Sequence, residues 1–185
     1  MAEAGQQIGF EQMGIANVLR SYWLHVPLNQ REYSWEDAQV KRLFHDINEA
    51  ILRDAPAYFL GNIVTIPREV TSLEIVDGQQ RLATTVILLA AIRDYLASRE
   101  EDKLIVEDIE NGLLTSVNRA ERGRVSRLRL NVTDSHFFER RVLAADGKIE
   151  ASSLSHRLID QAAELAAEHV QDIVKTHDPK AHASQ

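Results

Sequence analysis

Apolar residues recur at helical spacing in three stretches of the chain. The first follows the i, i+3, i+4, i+7 and i+11 spacing of an amphipathic helix and consists of Val40, Leu43, Phe44, Ile47 and Ile51. Ser34, three residues before Asp37, is the expected N-cap of this helix, which ends before Pro56. Residues 79–98 are apolar nearly all round, which predicts a buried helix. A final helix over residues 153–175 carries an apolar stripe made of Leu154, Leu158, Ala162, Leu165, Ala166, His169 and Ile173.

Short β-rich runs lie between these helices. Strands are predicted over residues 22–26, 58–66 and 73–76, with Pro67 closing the second. Leu128, Leu130 and Val132 alternate with polar residues and predict a half-buried strand. Shorter helices are expected over residues 14–20 and 104–114, and from a cap at Thr133 or Asp134 to residue 143.

The composition narrows the class of protein. With 185 residues, 44% of them apolar and 26% charged, the chain matches one soluble domain, or one domain with a helical appendage. The absence of cysteine excludes disulfides, Cys-ligated zinc, iron–sulfur clusters and thiol catalysis, and favours a cytoplasmic protein. The longest apolar stretch, residues 82–92, is shorter than the roughly 20 residues of a membrane span, and the N-terminus has no signal-peptide pattern, so no membrane partner is expected.

Charge is distributed unevenly along the chain. The formal net charge of −7 argues against a general polyanion binder, but residues 116–141 hold seven arginines against three acidic residues, a local net charge of +4. Such a stretch either contacts DNA phosphates or forms a solvated face that pairs with acidic helices, and the residues do not favour one interpretation. The candidate DNA-binding residues are Arg119, Arg122, Arg124, Arg127 and Arg129.

The segment Ile75–Leu82 has the form strand, turn, helix and reads IVDGQQRL. A glycine turn into a helix N-terminus places backbone N–H groups and the positive end of the helix dipole at one point, which suits an anion. Arg81 adds a planar fork for phosphate oxygens, the amides of Gln79 and Gln80 can orient a water, and Asp77 can hold Mg²⁺ or fix the arginine. The alternative is a β-turn-α junction with a polar helix start, and neither the GxxxxGK[ST] nor the GxGxxG pattern is present.

A second polar segment, residues 27–35, reads PLNQREYSW. Its Asn, Gln, Arg, Tyr and Trp side chains are types that hydrogen-bond to or stack on bases and sugars. The alternative is an aromatic-anchored loop in which Trp35 serves as a hydrophobic staple and Arg31 forms a salt bridge.

Three ordered motifs together resemble a known family. Pro27, Gln30, Arg31, Tyr33 and Trp35 precede the run FLGNIV at residues 59–64, which precedes DGQQRL at residues 77–82. This order resembles the DGQQR-motif domain at the N-terminus of GmrSD-type modification-dependent restriction enzymes and of phosphorothioate-sensing SspE proteins of bacterial phage defence. The resemblance extends through Leu128-Arg129-Leu130, Asp134 and Phe138 and covers about residues 10–174.

The resemblance implies an α+β fold, with a ParB/sulfiredoxin-like core, a short mixed sheet and a C-terminal helical extension. The expected organisation is a flexible N-terminus (1–9), a nucleotide-binding core (10–132), a helical extension (133–178) and a disordered tail (179–185). A nucleoside triphosphate, GTP favoured over ATP, would be hydrolysed with Mg²⁺, and Asp77 would bind the metal. The catalytic residues carried over are Asp77, Gln79, Gln80 and Arg81. The nucleotide-binding residues carried over are Gly78, Gln30, Arg31, Tyr33, Trp35 and Thr84. Asn29 stands where the family often has an aromatic residue and Ala83 where it often has a threonine, so the nucleotide stays open.

The partners implied are modified double-stranded DNA, with a lean towards phosphorothioate, and an HNH-type nuclease domain or subunit outside this chain. The seven histidines show no HNH arrangement, so this chain alone is not expected to cut DNA. A homodimer through the long C-terminal helix is a further expectation. Two alternatives stay open: a non-hydrolysing DNA-binding or protein-interaction module, and a scaffold that has lost its chemistry.

Overall fold

A computed structural model describes residues 9–99, 102–118, 123–146 and 149–177 of the chain. The predictions that fall elsewhere are the disordered tail over residues 179–185, the DNA contacts of Arg119 and Arg122, and nearly all of the flexible N-terminus, and these lie outside the described residues.

Helices and short strands alternate along the described chain. The helices are α1 (Ile15–Ser21), α2 (Asp37–Leu52), α3 (Gln79–Ala97), α4 (Lys103–Asp108), α5 (Val132–Phe138) and α6 (Leu154–His177). π-helical segments extend α4 over Ile109–Leu114 and α5 over Glu139–Leu143. The strands are β1 (Trp23–His25), β2 (Val64–Glu69), β3 (Ser72–Asp77), β4 (Thr115–Asn118), β5 (Gly123–Ser126) and β6 (Leu128–Arg129). Within the described ranges, no helix combines the length and apolar character needed to cross a bilayer.

A four-stranded mixed sheet has the strand order β2-β3-β1-β6. β1 runs parallel to both of its neighbours, with Leu24 opposite Leu73 on one side and Leu128 on the other. β2 and β3 form an antiparallel pair at the edge of the sheet, and β4 and β5 form a separate two-stranded ribbon. The expected α+β class with a short mixed sheet and a long C-terminal helix is therefore confirmed, and the ParB-like topology stays a prediction.

One hydrophobic cluster joins the sheet to the helices. α3 is its centre, since Leu82, Val86 and Ile87 are each at most 1% exposed, as expected for a helix that is apolar nearly all round. α6 contributes Ile159 and Ala166 to the same cluster and packs on α3. The predicted division between core and helical extension is untested, but the two share this core.

Two boundaries before α3 differ from the sequence predictions. The strand expected over residues 58–66 begins only at Val64, because residues 56–63 form a loop, and it continues through Pro67 to Glu69. Proline is tolerated there because β2 is an edge strand. Ser34 is not the N-cap of α2: its N–H binds Gln80, and Glu36 caps the helix with its N–H donating to Gln39 Oε1 at 3.1 Å.

Four features after α3 also differ from the sequence predictions. The strand expected through Val132 is reduced to the two residues of β6, and the β4–β5 ribbon was not predicted. Asn131, rather than Thr133 or Asp134, caps α5, and its Oδ1 accepts from Asp134 N at 3.0 Å. The buried face of α6 agrees with the predicted stripe at Ala162 and Ala166 but differs at its start, because Leu154 is 63% exposed whereas Ser155 and Ile159 are buried.

Candidate functional site

The junction of β3 and α3 is a left-handed turn at Gly78. Its φ is +93°, which favours glycine, and a Cβ there would lie 2.4 Å from Ile63 Cδ1, so the end of that side chain would have to move. The first intrahelical bond runs from Leu82 N to Gly78 O at 3.1 Å. The N–H groups of Gln79, Gln80 and Arg81 therefore have no acceptor within the helix, and the positive end of the helix dipole lies at this point.

The two glutamines of this turn hold the loop of residues 31–34. Gln79 Nε2 donates to Arg31 O at 2.7 Å, and Gln80 Nε2 donates to Glu32 O at 3.1 Å. Gln80 Oε1 in turn accepts from Ser34 N at 2.9 Å. Both polar ends of the buried Gln80 amide are thus bound to the backbone, and the side chain fixes the position of this loop.

Arg81 extends in the other direction, over the loop before β2. Its Nη1 donates to Leu60 O at 3.2 Å and its Nη2 to Asn62 O at 2.9 Å. Gly61, between these two carbonyls, has a φ of +103°, and a Cβ there would lie only 1.7 Å from Arg81 Nη1. Asp77 Oδ2 is 3.6 Å from Arg81 Nη2, but the Asp77 side chain is 70% exposed. The guanidinium therefore binds carbonyl oxygens on one side and lies near a solvated carboxylate.

Tyr33 anchors the loop of residues 31–34 to α3. Its hydroxyl lies 2.8 Å from Thr84 Oγ1, and Thr84 Oγ1 donates its one proton to Gln80 O at 2.8 Å. Tyr33 is therefore the donor of the pair. Burial raises the pKa of Tyr33 to about 12, against a smaller lowering by the bond to Thr84, so the phenol stays neutral near pH 7.

The remaining residues of the second motif have mixed roles. Gln30 Nε2 donates to Val76 O at 3.1 Å, which ties the start of the loop to β3. Trp35 is half-buried and packs against the core, as the hydrophobic-staple alternative predicts. Gln30, Tyr33, Gln79, Gln80 and Thr84 are thereby brought together, whereas Trp35 serves packing.

A small pocket with a volume of about 10 Å³, room for about one water, lies between the loop of residues 31–34, α3 and α5. It is lined by Val26, Arg31, Tyr33, Gln79, Gln80, Ala83, Leu130, Asn131 and Asp134. Gln79 Oε1 is buried and accepts no hydrogen bond. The Arg31 side chain is exposed, and no ion pair or hydrogen bond holds it within the described parts of the chain, so the salt bridge considered for it does not form there. Asn131 and Asp134 were not predicted as pocket residues, and the only signal for Asp134 was its place in the motif resemblance.

The groups around the pocket suit a phosphorylated ligand that lies on the surface beside it. Arg31, which has no partner among the described residues, and the first-turn N–H groups of α3 favour an anion there, whereas the Gln79 oxygen inside the pocket needs a hydrogen-bond donor such as a water. For a metal ion, Asp77 is a single exposed carboxylate, and the described residues contain no cluster of three or more potential metal ligands. One carboxylate together with phosphate oxygens is a usual environment for Mg²⁺, so Asp77 fits that ion only alongside a phosphorylated ligand.

The described arginines of the basic segment have partners within the chain. Arg124 Nη2 lies 3.9 Å from Glu110 Oε1, and the Arg127 guanidinium lies 4.4 Å from the centre of the Trp23 ring. Burial lowers the pKa of Arg127, whose Nε is buried without a partner. Arg129 lies half-buried in β6. DNA contact by these residues stays a prediction.

Comparison with known proteins yields one family. The model of the family described as GmrSD restriction endonuclease, N-terminal domain, matches residues 15–179. No curated protein matches the chain.

Proposed function

The chain belongs to the family of GmrSD restriction endonuclease N-terminal domains, and we propose that it is the nucleotide-dependent sensor domain of a modification-dependent restriction protein. The range matched by the family includes every helix and strand of the fold. The chain is therefore assigned as a whole to a restriction and phage-defence protein. The further proposal is that the β3–α3 junction binds and hydrolyses a nucleoside triphosphate, with GTP favoured.

The observation that carries the proposal is that two groups without a partner among the described residues, the Arg31 guanidinium and Gln79 Oε1, belong to residues that line one pocket beside the α3 N-terminus. In the proposed complex the first-turn N–H groups and Arg31 bind phosphate oxygens, and Gln79 Oε1 accepts a hydrogen bond from the ligand or from a water. A charge-assisted bond of this kind contributes about 1.5–3 kcal/mol. Asp77 would supply a carboxylate to Mg²⁺, which neutralises phosphate charge when bound.

Within the motif the two glutamines have different roles in this proposal. Gln80 is a positioning residue, because both ends of its amide already bind the backbone of the 31–34 loop. Gln79 keeps one free acceptor and is the glutamine able to orient an attacking water. Arg81 holds the Gly61 loop through Leu60 O and Asn62 O, so it shapes the wall of the site.

A second candidate function is nucleotide binding without hydrolysis. The saturation of Gln80 leaves Gln79 as the one glutamine of the motif with a group for a water, so this second candidate applies if the nucleotide binds without a water held at Gln79 Oε1. The two candidates differ in one measurement, the release of inorganic phosphate by a protein that binds the nucleotide.

The proposed target is modified double-stranded DNA, phosphorothioated DNA first, read together with a nuclease domain or subunit. The family supports DNA as the target and a nuclease as the partner. Phosphate contacts by Arg124 and Arg129 would make affinity fall steeply with added salt.

Titration calorimetry of the 185-residue chain with non-hydrolysable GTP and ATP analogues tests the binding step. Arg31→Ala is expected to weaken binding by about tenfold or more, the loss of one charge-assisted phosphate contact. Arg42→Ala is the matched control, since Arg42 is also an exposed arginine but lies on α2 beside Asp46. The absence of binding heat with both nucleotides, or equal affinities for the two variants, would refute the site.

Phosphate release under saturating GTP or ATP then separates the two candidates. Hydrolysis by the wild type and its loss in Gln79→Ala, with binding retained, supports the first candidate. Binding with no phosphate release in the presence of Mg²⁺ and modified DNA supports the second.

A further inference from the structure

Asp134 is a buried carboxylate that links the pocket to the start of α6. It is 1% exposed and lies in the first turn of α5. Its Oδ2 accepts from Tyr33 N at 2.7 Å, and its Oδ1 accepts from Ser155 Oγ at 2.5 Å. One carboxylate thus joins the nucleotide-site loop to a residue of α6 that no sequence motif placed near the site.

The contacts around Ser155 lock the start of α6 onto α5. Ser155 is 1% exposed, and Ser153 Oγ lies 2.9 Å from its hydroxyl. His156 stacks on Phe137 with ring centres 4.4 Å apart, and Ser152 N donates to its Nδ1 at 3.3 Å. Nε2 therefore carries the proton of the neutral ring, and it donates to Thr133 O at 3.0 Å. A displacement of the Asp134 segment is accordingly passed to the first turn of α6.

Asp134 has a physical reason to respond to the loop. A carboxylate removed from water needs its hydrogen-bond donors, and the two donors found here come from the 31–34 loop and from α6. The same loop is held by Gln79 and Gln80 and carries Arg31, so a ligand at the pocket acts on the element that donates to Asp134.

We propose that Asp134 is a positioning residue that couples occupancy of the pocket to the position of α6 through the hydrogen bonds of Tyr33 N and Ser155 Oγ. The inference rests on the proposed function and adds to it the element, α6, whose position changes when the ligand binds. α6 has 24 residues and is about 36 Å long, so a shift of its first turn is carried along a helix that leads away from the 31–34 loop. Because coupling is reciprocal, a change at Ser155 also alters ligand affinity.

The test is hydrogen exchange of the 185-residue chain with and without the non-hydrolysable GTP analogue, and in parallel the ATP analogue. In the wild type, the bound analogue is expected to slow exchange in the 31–35 loop and in the first turns of α6, residues 155–160. In Ser155→Ala the loop is still protected, the ligand-dependent protection of α6 is lost, and affinity falls about five- to tenfold. Asp134→Asn keeps the side-chain size and is expected to lose the same response.

Ser152→Ala is the matched control, because Ser152 also lies at the start of α6 but contacts His156 instead of Asp134. It is expected to retain the wild-type response to the ligand. If the analogue slows hydrogen exchange in the 31–35 loop of the wild type but leaves exchange in α6 unchanged, the coupling is overturned and the proposed function remains intact. Undiminished α6 protection in Ser155→Ala overturns it as well. If neither region responds and no binding heat is found, the proposed function fails and the coupling with it.

Discussion

The contact between Gly61 and Arg81 predicts a strong coupling between two substitutions. In the wild-type background, Gly61→Ala forces a residue with a Cβ into a φ of +103° and places that Cβ 1.7 Å from Arg81 Nη1. The guanidinium is then displaced from Leu60 O and Asn62 O. In an Arg81→Ala background the same substitution meets no guanidinium, so only the backbone strain remains.

The free energies follow from these contacts. A non-glycine residue at positive φ costs about 1–2 kcal/mol. Each hydrogen bond from a charged donor contributes about 1.5 kcal/mol at the lower end of its range, and water replaces part of this because the Arg81 side chain is 27% exposed. Gly61→Ala should therefore destabilise the wild type by about 3–4 kcal/mol and the Arg81→Ala protein by about 1–2 kcal/mol. The expected coupling free energy is about 2 kcal/mol.

Urea unfolding followed by tryptophan fluorescence measures all four proteins of this cycle. Gly14→Ala is the matched control, because Gly14 has a φ of −69° and open space around the position of a Cβ. Because Gly14 is the N-cap of α1 and alanine is a poorer N-cap than glycine, the effect of this substitution should be about 0.5–1 kcal/mol and independent of Arg81. A coupling free energy below about 0.5 kcal/mol for Gly61 and Arg81 would show that the guanidinium does not lie over Gly61, and the described wall of the site would be wrong.

Three further predictions concern stability. Gln80→Met loses two hydrogen bonds to loop backbone and should destabilise the protein by about 2 kcal/mol, whereas Gln79→Met loses one bond and removes an unpaired oxygen, so about 1 kcal/mol is expected; the reverse order in urea unfolding would contradict these contacts. Burial raises the pKa of Tyr33 from 10.0 to about 12, so its contribution to the free energy of unfolding is complete below pH 10 and falls by about 2.5 kcal/mol as pH rises to 12. The Tyr33→Phe protein should lack this pH dependence. Burial lowers the pKa of His169, with an opposing effect from Asp172, so the unfolded chain takes up the proton first and stability falls as pH drops below about 6.5; a His169→Gln protein with the same pH profile would refute this.

Local sequence patterns predicted the elements whose periodicity is set by burial. The predicted stripe of α2 is buried at Val40, Leu43 and Phe44 but not at Ile51 in the last turn, which is 70% exposed, and the all-round apolar α3 is the centre of the core. The stripe of α6 was misplaced by one residue at its start, because Ser155 is buried by its bond to Asp134 whereas the more apolar Leu154 is exposed. A tertiary hydrogen bond here outweighs the local pattern.

The candidate site was predicted in its parts but not in its assembly. The 27–35 and 77–82 segments were recognised separately, and the structure joins them through the backbone bonds of Gln79 and Gln80. The roles of these amides could not be read from the sequence, because a glutamine that binds water and one that binds a loop look alike there. The bond from Tyr33 to Asp134 spans 101 residues, a separation at which local pattern carries no information.

The place of β1 in the sheet sets an order for the maturation of the protein on the ribosome. β1 is the first strand to be synthesised, yet its two partners are β3 and β6, and the latter ends at Arg129. A nascent chain that stops before β6 keeps one edge of β1 open, and it also lacks Asp134 to receive Tyr33. Local helices can form early, but these long-range pairings wait for the later segment. The four-stranded sheet can thus be completed only after the chain has been translated past Arg129, and until then one edge of β1 stays without its β6 partner.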